Sequence, residues 1–199
     1  MSEKTIYLIR HAYPDYPGGV QMCLGQKHDL PLSALGFEQA DALARRFEHI
    51  PLEAVYTSPL LRARQTAKAI AGSRPVHVLK DLIELDGGEW DGLTHEQLRA
   101  RYPAHFGPHA KGGCPPGGES DEAGLARMLS ALTYIEARTQ AHAAIVAHSG
   151  VNRLLLCHLS GLPLTEKKKM GQDLAAVSVI TCTNGVWRVT EHSTRRLKP

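Results

Sequence analysis

Apolar positions cluster along the chain with two alternating spacings. Thr5–Ile9 (TIYLI), Ala54–Thr57 (AVYT), Val76–Leu79 and Ala143–Ala147 (AAIVA) are short β-rich runs and predict strands. Between the first two, Ala40, Leu43, Ala44 and Phe47 recur at i, i+3, i+4 and i+7, which predicts an amphipathic helix over 33–48. Ala63, Thr66, Ala67 and Ile70 form a second apolar face, after Ser58-Pro59 read as an N-cap with proline at the first helical position. Leu125, Met128, Leu129 and Leu132 stripe a helix opened by Ser120, and another helix follows His148-Ser149-Gly150 to about Ser160. Runs 176–181 and 186–190 flank Asn184-Gly185, a strong hairpin signal.

Strands alternating with helices predict an α/β fold, a three-layer sandwich whose mostly parallel central sheet is flanked by helices. Residues 86–119 interrupt that rhythm. They are rich in Gly and Pro (GGEWDG, then KGGCPPGGE) and carry one short helix near His95–Arg101. The segment reads as a small lid excursion, with Trp90 packing its base. No repeat or linker divides the chain, so a single domain over 1–199 is expected.

The 199 residues suffice for a full core, and the composition is that of an ordinary globular protein. A net charge of +3 suits small anionic substrates and leaves no nucleic-acid footprint. The basic run Lys167, Lys168 and Lys169 and the pair Arg195, Arg196 read as solvated surface. No run approaches the ~18 apolar residues of a membrane helix, and the first residues hold no apolar signal core. Four scattered cysteines (Cys23, Cys114, Cys157, Cys182) without a CxxC pair predict reduced thiols. A cytoplasmic protein is expected. His105 and His109 are four apart, but Pro103, Gly107 and Pro108 break the helix that would align them, so no metal site is expected.

Open α/β sheets bind ligands at the carboxyl ends of their strands. Arg10-His11 closes the first strand, Ser58 to Arg62 follows the second, and His148-Ser149-Gly150 follows AAIVA. Two of these segments open helices, whose N-termini favour anions. One histidine at a strand end is usually structural, and Arg62 or Glu84 alone would be unremarkable surface residues. Two histidines and two arginines at one sheet edge describe a phosphate site.

LIRHA (Leu8–Ala12) resembles the Arg-His-Gly motif of the histidine phosphatase superfamily, the phosphoglycerate-mutase-like fold. SPLLRARQTA (Ser58–Ala67) is similar to that family's second arginine motif, with the arginine at Arg62. LIELDGGEWDGLT (Leu82–Thr94) resembles the block that carries its acid, at Glu84. PPGGES (Pro115–Ser120) and VAHSGVNR (Val146–Arg153) match two more blocks, the latter with the second histidine at His148. The five come in the family's order and span most of the chain, closest to the short branch of α-ribazole and broad-specificity phosphatases.

The resemblance implies a phosphatase of small-molecule phosphate monoesters such as α-ribazole phosphate or a sugar or carboxylic-acid phosphate. His11 would be the nucleophile that becomes a phosphohistidine, Arg10, Arg62 and His148 the oxygen-holding groups, and Glu84 the general acid. Gln26, Ser58 and Ser149 would add substrate contacts. No cofactor is implied, and the expected partner is a small phosphorylated metabolite, with the protein a monomer or homodimer. A phosphoglycerate mutase, a phosphohistidine-protein phosphatase and a non-catalytic phosphate-binding module are the alternatives. The chain departs from the pattern on the substrate side. Ala12 replaces the usual Gly, Tyr13-Pro14-Asp15 the common Glu-Thr pair, and Pro17 a phosphate-contacting Asn. The Gly25–Asp29 run carries one extra residue, which makes Tyr13, Lys27 and His28 candidates for selectivity.

Overall fold

Lys4–Arg10 forms β1, with Ile6 and Leu8 buried on one face and Ile9 on the other. The computed structural model describes residues 3–106 and 113–192. The remaining strands are β2 (Ala54–Thr57), β3 (Val76–Val78), β4 (His142–Ala147), β5 (Val177–Thr183) and β6 (Val186–Glu191). They make one sheet in the order β3-β2-β4-β1-β5-β6, parallel from β3 to β1 and antiparallel from β1 to β6. The antiparallel edge follows from Asn184-Gly185. Both residues have positive φ, 54° and 78°, and a two-residue loop of that kind joins only antiparallel strands.

The helices are α1 (Ala34–Phe47), α2 (Leu61–Ala71), α3 (His95–Arg101), α4 (Pro103–Phe106), α5 (Asp121–Glu136) and α6 (Ser149–Leu159). Ser33 and Ser120 cap α1 and α5 through their side chains. Leu43 and Phe47 of α1 and Ala67 and Ile70 of α2 pack with Ile9, Val55 and Val146 on one side of the sheet. Met128, Leu132 and Ile135 of α5 and Leu155 of α6 pack with Ile6, Leu8 and Ile145 on the other. These are the three layers, and each fully buried Leu or Ile contributes about 1.5–3 kcal/mol over an exposed one.

Two readings of the sequence need correction. Ser58 does not cap α2, which starts three residues later with Leu60 at the N-cap position. The cap arrives from a distant loop, where the Asp29 carboxylate accepts the Leu61 amide. The Ser58 hydroxyl accepts the Leu60 amide at 3.2 Å instead and also meets His148. Lys167 is not simply solvated, because it turns in to pair with Asp121 in the first turn of α5, whereas Lys169 stays exposed.

The described part of 86–119 holds a 3₁₀ turn at Gly88–Trp90, then α3 and α4. Trp90 packs edge-on against Phe106, His105 and Tyr102, with ring centroids 4.8, 5.3 and 6.0 Å away. Residues 107–112 of the excursion, His109 among them, lie outside the described residues, as does the pair Arg195, Arg196. All four cysteines are free thiols. No helix among the described residues is long and apolar enough to cross a membrane.

Candidate active site

Because β4 lies between β2 and β1, their carboxyl ends are neighbours. The His11 amide donates to Ala147 O at 3.0 Å and the Ser58 amide to Val146 O at 3.0 Å, which sets the three loops side by side. A cavity of about 550 Å³ opens over them. Its lining combines the polar Arg10, His11, Glu84, Ser149 and Arg153 with Tyr13, Tyr16, Met22, Leu98 and Phe106.

His11 Nδ1 lies 2.8 Å from the carbonyl of Ala12. A carbonyl only accepts, so the ring proton is on Nδ1 and Nε2 carries a free lone pair. Burial holds the imidazole's pKa well below its ordinary value, and Arg62 and Arg10 push it further down against the pull of the Ala12 carbonyl. The ring is therefore neutral at neutral pH. The Ala12 methyl packs in the core on the α1/α2 side and its amide donates to Thr66 Oγ1.

The His148 ring centroid is 5.1 Å from that of His11. Its Nε2 meets Ser58 Oγ at 2.7 Å, while Nδ1 is buried without a partner. Burial, then Arg62, then His11 lower its pKa well below the usual range. Arg62 is 0% exposed, yet Nη1 and Nη2 donate only to the carbonyls of His28 and Gly25. Arg10 gives Nη1 to Gln172 O at 2.7 Å. Burial lowers both arginine pKa values from their ordinary range, with Glu84 opposing in each case. The Nε groups of Arg10, Arg62 and Arg153, His148 Nδ1 and Ser149 Oγ are all buried without partners. Buried donors are normally satisfied, so the orphans on three cavity-lining residues, Arg10, Arg153 and Ser149, with Arg62 Nε and His148 Nδ1 also buried without partners, describe a site shaped for an anion.

Glu84 reaches the start of α6. Its Oε2 accepts the Gly150 amide at 3.0 Å and its Oε1 the Val151 amide at 3.2 Å. A methyl at position 150 would stand 2.4 Å from Oε1, so only glycine permits the approach. Arg127 fixes the backbone underneath. It donates to the carbonyls of Asp81, Ile83 and Glu84 while forking onto both Glu119 oxygens.

The structure thus brings Arg10, His11, Arg62, Glu84, His148 and Ser149 together. Gln26, Ser58, Arg62 and His148 are not among the residues that line the cavity. Gln26 Nε2 donates to Glu84 O, so it braces the loop, and Ser58 stands behind His148. Tyr13 lines the cavity mouth, but His28 and the Lys27 amide are tied to the buried Asp91 carboxylate and lock the 21–33 loop. Burial would raise the Asp91 pKa, but the Lys27 and Gly25 amides and His28 bring it below the usual value. Arg153 and Arg127 were missed. Helical spacing could have found the first, since Ser149 and Arg153 are i and i+4 in α6 and share a face. Among the described residues no group of three or more His, Cys, Asp and Glu could hold a metal.

Residues 6–195 match the model of the histidine phosphatase superfamily, branch 1. Phosphoserine phosphatase 1 of Hydrogenobacter thermophilus is 32% identical over 185 residues, covering 88% of this chain and 85% of that protein. The adenosylcobalamin/α-ribazole phosphatase of Salmonella typhimurium is 30% identical over 166 residues, covering 79% and 80%. A mycobacterial glucosyl-3-phosphoglycerate phosphatase superposes with a TM-score of 0.81 at 27% identity, over 95% of this chain and 98% of that one. The chain belongs to branch 1 of the histidine phosphatase superfamily and is a phosphatase of that family.

Proposed function

We propose that the protein hydrolyses small phosphate monoesters in the cytoplasm, without a metal, through a phosphohistidine on His11. The observation that carries this is the bond from His11 Nδ1 to the Ala12 carbonyl, which leaves Nε2 as a neutral nucleophile in an arginine-rich cavity. Nε2 attacks phosphorus, the N–P bond forms, and the ester P–O bond breaks. Glu84 protonates the departing alkoxide, then takes a proton from the water that opens the N–P bond and releases phosphate. Arg10, Arg62 and His148 hold the non-bridging oxygens, whose spread of charge they stabilise. With the Ser58 hydroxyl donating to His148 Nε2, the ring proton sits on Nδ1, the atom that lacks a partner.

Arg10 and Arg153 beside Glu84 and Asp173 make the cavity a poor home for a cation, which supports metal independence. Free thiols fit a reducing compartment. The whole chain acts as one domain, monomeric or homodimeric, with 86–119 as the lid over a cavity sized for a metabolite. Hydrolysis of p-nitrophenyl phosphate that persists in EDTA and is lost in a folded His11→Ala variant tests the reading. Activity retained by that variant, or abolished by chelation and restored by a divalent ion, would overturn it.

A further inference from the structure

Three buried polar side chains take no part in the chemistry given above. Gln172 is 2% exposed, and Asn152 and Ser178 are fully buried. A buried amide is costly unless it is hydrogen-bonded, and the Gln172 amide is bonded three times. Its Nε2 donates to the Leu8 carbonyl of β1 at 3.1 Å and to Ser178 Oγ of β5 at 2.9 Å. Its Oε1 accepts from Asn152 Nδ2 of α6 at 2.9 Å. One side chain thus ties the loop that precedes β5 to two strands and a helix.

The backbone carbonyl of the same residue accepts Arg10 Nη1 at 2.7 Å. Among the described residues no other protein group accepts from the Arg10 guanidinium, and no carboxylate lies within ion-pair distance of it. A guanidinium carries five donors in one rigid plane, so the place of that single acceptor bears directly on where the other four point. Arg10 lines the cavity, whereas Gln172 does not and cannot meet a ligand there itself.

The loop is also strained where it passes the site. Ala175 has a φ of 61°, a left-handed conformation that a residue with a Cβ adopts at a cost. Its amide donates to the His11 carbonyl at 3.2 Å, and the next carbonyl, of Ala176, accepts the Arg10 amide at 3.1 Å. Such a turn persists only where its surroundings over-determine it, and the Gln172 side chain supplies three of the bonds that do so.

We infer that Gln172 is a positioning residue, whose buried side chain holds the loop carbonyl that aims Arg10 at the phosphate. The inference rests on the phosphatase reading given above, in which Arg10 holds a non-bridging oxygen.

A double-mutant cycle, read by calorimetric titration with the phosphate analogue orthovanadate, tests it. Gln172→Leu removes all three side-chain bonds, keeps a side chain of similar bulk and changes no charge, so it cannot alter anion affinity by direct electrostatics. In the wild-type background it should weaken vanadate binding by about 10–100-fold, the value of one charge-assisted contact put out of line. In an Arg10→Gln background, where that contact is already gone, the same change should cost less than about threefold. Ser178→Ala removes one of the three bonds and should give a smaller loss in the wild-type background, which keeps the inference testable if Gln172→Leu does not fold. Unchanged affinity in these variants, or an equal loss in both backgrounds, overturns the inference and leaves Gln172 a brace for the fold alone. Undiminished vanadate binding by Arg10→Gln overturns it too. A wild type that binds vanadate but hydrolyses no p-nitrophenyl phosphate would instead defeat the phosphatase reading, and the cycle, which reads binding alone, would still decide the role of Gln172.

Discussion

Replacing Glu84 by Gln separates the two jobs that the carboxylate performs. Oε1 accepts the amides of Leu85 at 2.9 Å and Val151 at 3.2 Å, and Oε2 accepts Gly150 at 3.0 Å. The amide of Gln keeps one oxygen, which takes the place of Oε1. Its NH₂ then faces the Gly150 N–H, donor against donor. One lost hydrogen bond and one unsatisfied amide cost about 1–3 kcal/mol, or roughly 2–12 °C in Tm for a chain of this size. The chemical effect is separate and depends on the leaving group. An alkyl alkoxide needs a proton as it leaves, and general acid catalysis is worth about 10²–10⁴-fold. Nitrophenolate needs none. Glu84→Gln should therefore slow phosphorylation of His11 by glycerol 3-phosphate by that factor and by p-nitrophenyl phosphate by about tenfold at most, while opening of the phosphohistidine, which has lost its base, slows alike for both. Single-turnover phosphorylation rates with both esters, read for the aryl ester as the pre-steady-state burst of nitrophenol, with Tm measured in parallel, check it. Equal losses on the two esters would show Glu84 to be a brace only, and the acid would have to be sought elsewhere.

Two further outcomes follow from the same geometry. Burial, aided by Arg62, holds His11 and His148 well below the ordinary imidazole pKa of 6.5, so the unfolded chain binds protons before the folded one does. Stability is then complete above about pH 6.5 and falls below it, by up to about 1.4 kcal/mol per pH unit for each histidine. Urea midpoints that do not change between pH 7 and 5 would refute this. The acid limb of kcat/KM should likewise lie well below 6.5, because the nucleophile stays neutral. Gly150→Ala puts a methyl 2.4 Å from Glu84 Oε1 and must displace the carboxylate. Single-turnover phosphorylation by alkyl esters should slow about 10²-fold, with p-nitrophenyl phosphate much less affected in that step, and similar losses on both would argue against the placement.

The layers and the site edge were legible because they rest on local signals. Period-2 and period-3.6 patterns marked each strand and long helix, and Asn184-Gly185 marked the hairpin that makes β5 and β6 antiparallel. The candidate residues are gathered because three strand ends with chemical side chains are consecutive in the sheet. What escaped depends on contacts between distant segments. Nothing near Ser58 says that Asp29 will cap α2 or that the hydroxyl will meet His148. Nothing near Gln26 says that its amide will be spent on the Glu84 carbonyl. Arg153 was visible as a residue type, but an arginine reads as surface until its missing partners are seen.

The central claim is covalent chemistry at His11, and trapping the phosphoenzyme tests it most directly. The enzyme is mixed with a ³²P-labelled monoester, quenched in alkali within milliseconds, digested and sequenced. The account predicts label on the peptide that contains His11, stable to base, lost in acid, and absent from His11→Ala. Label on any other residue, or label that survives acid or persists in the variant, would contradict it.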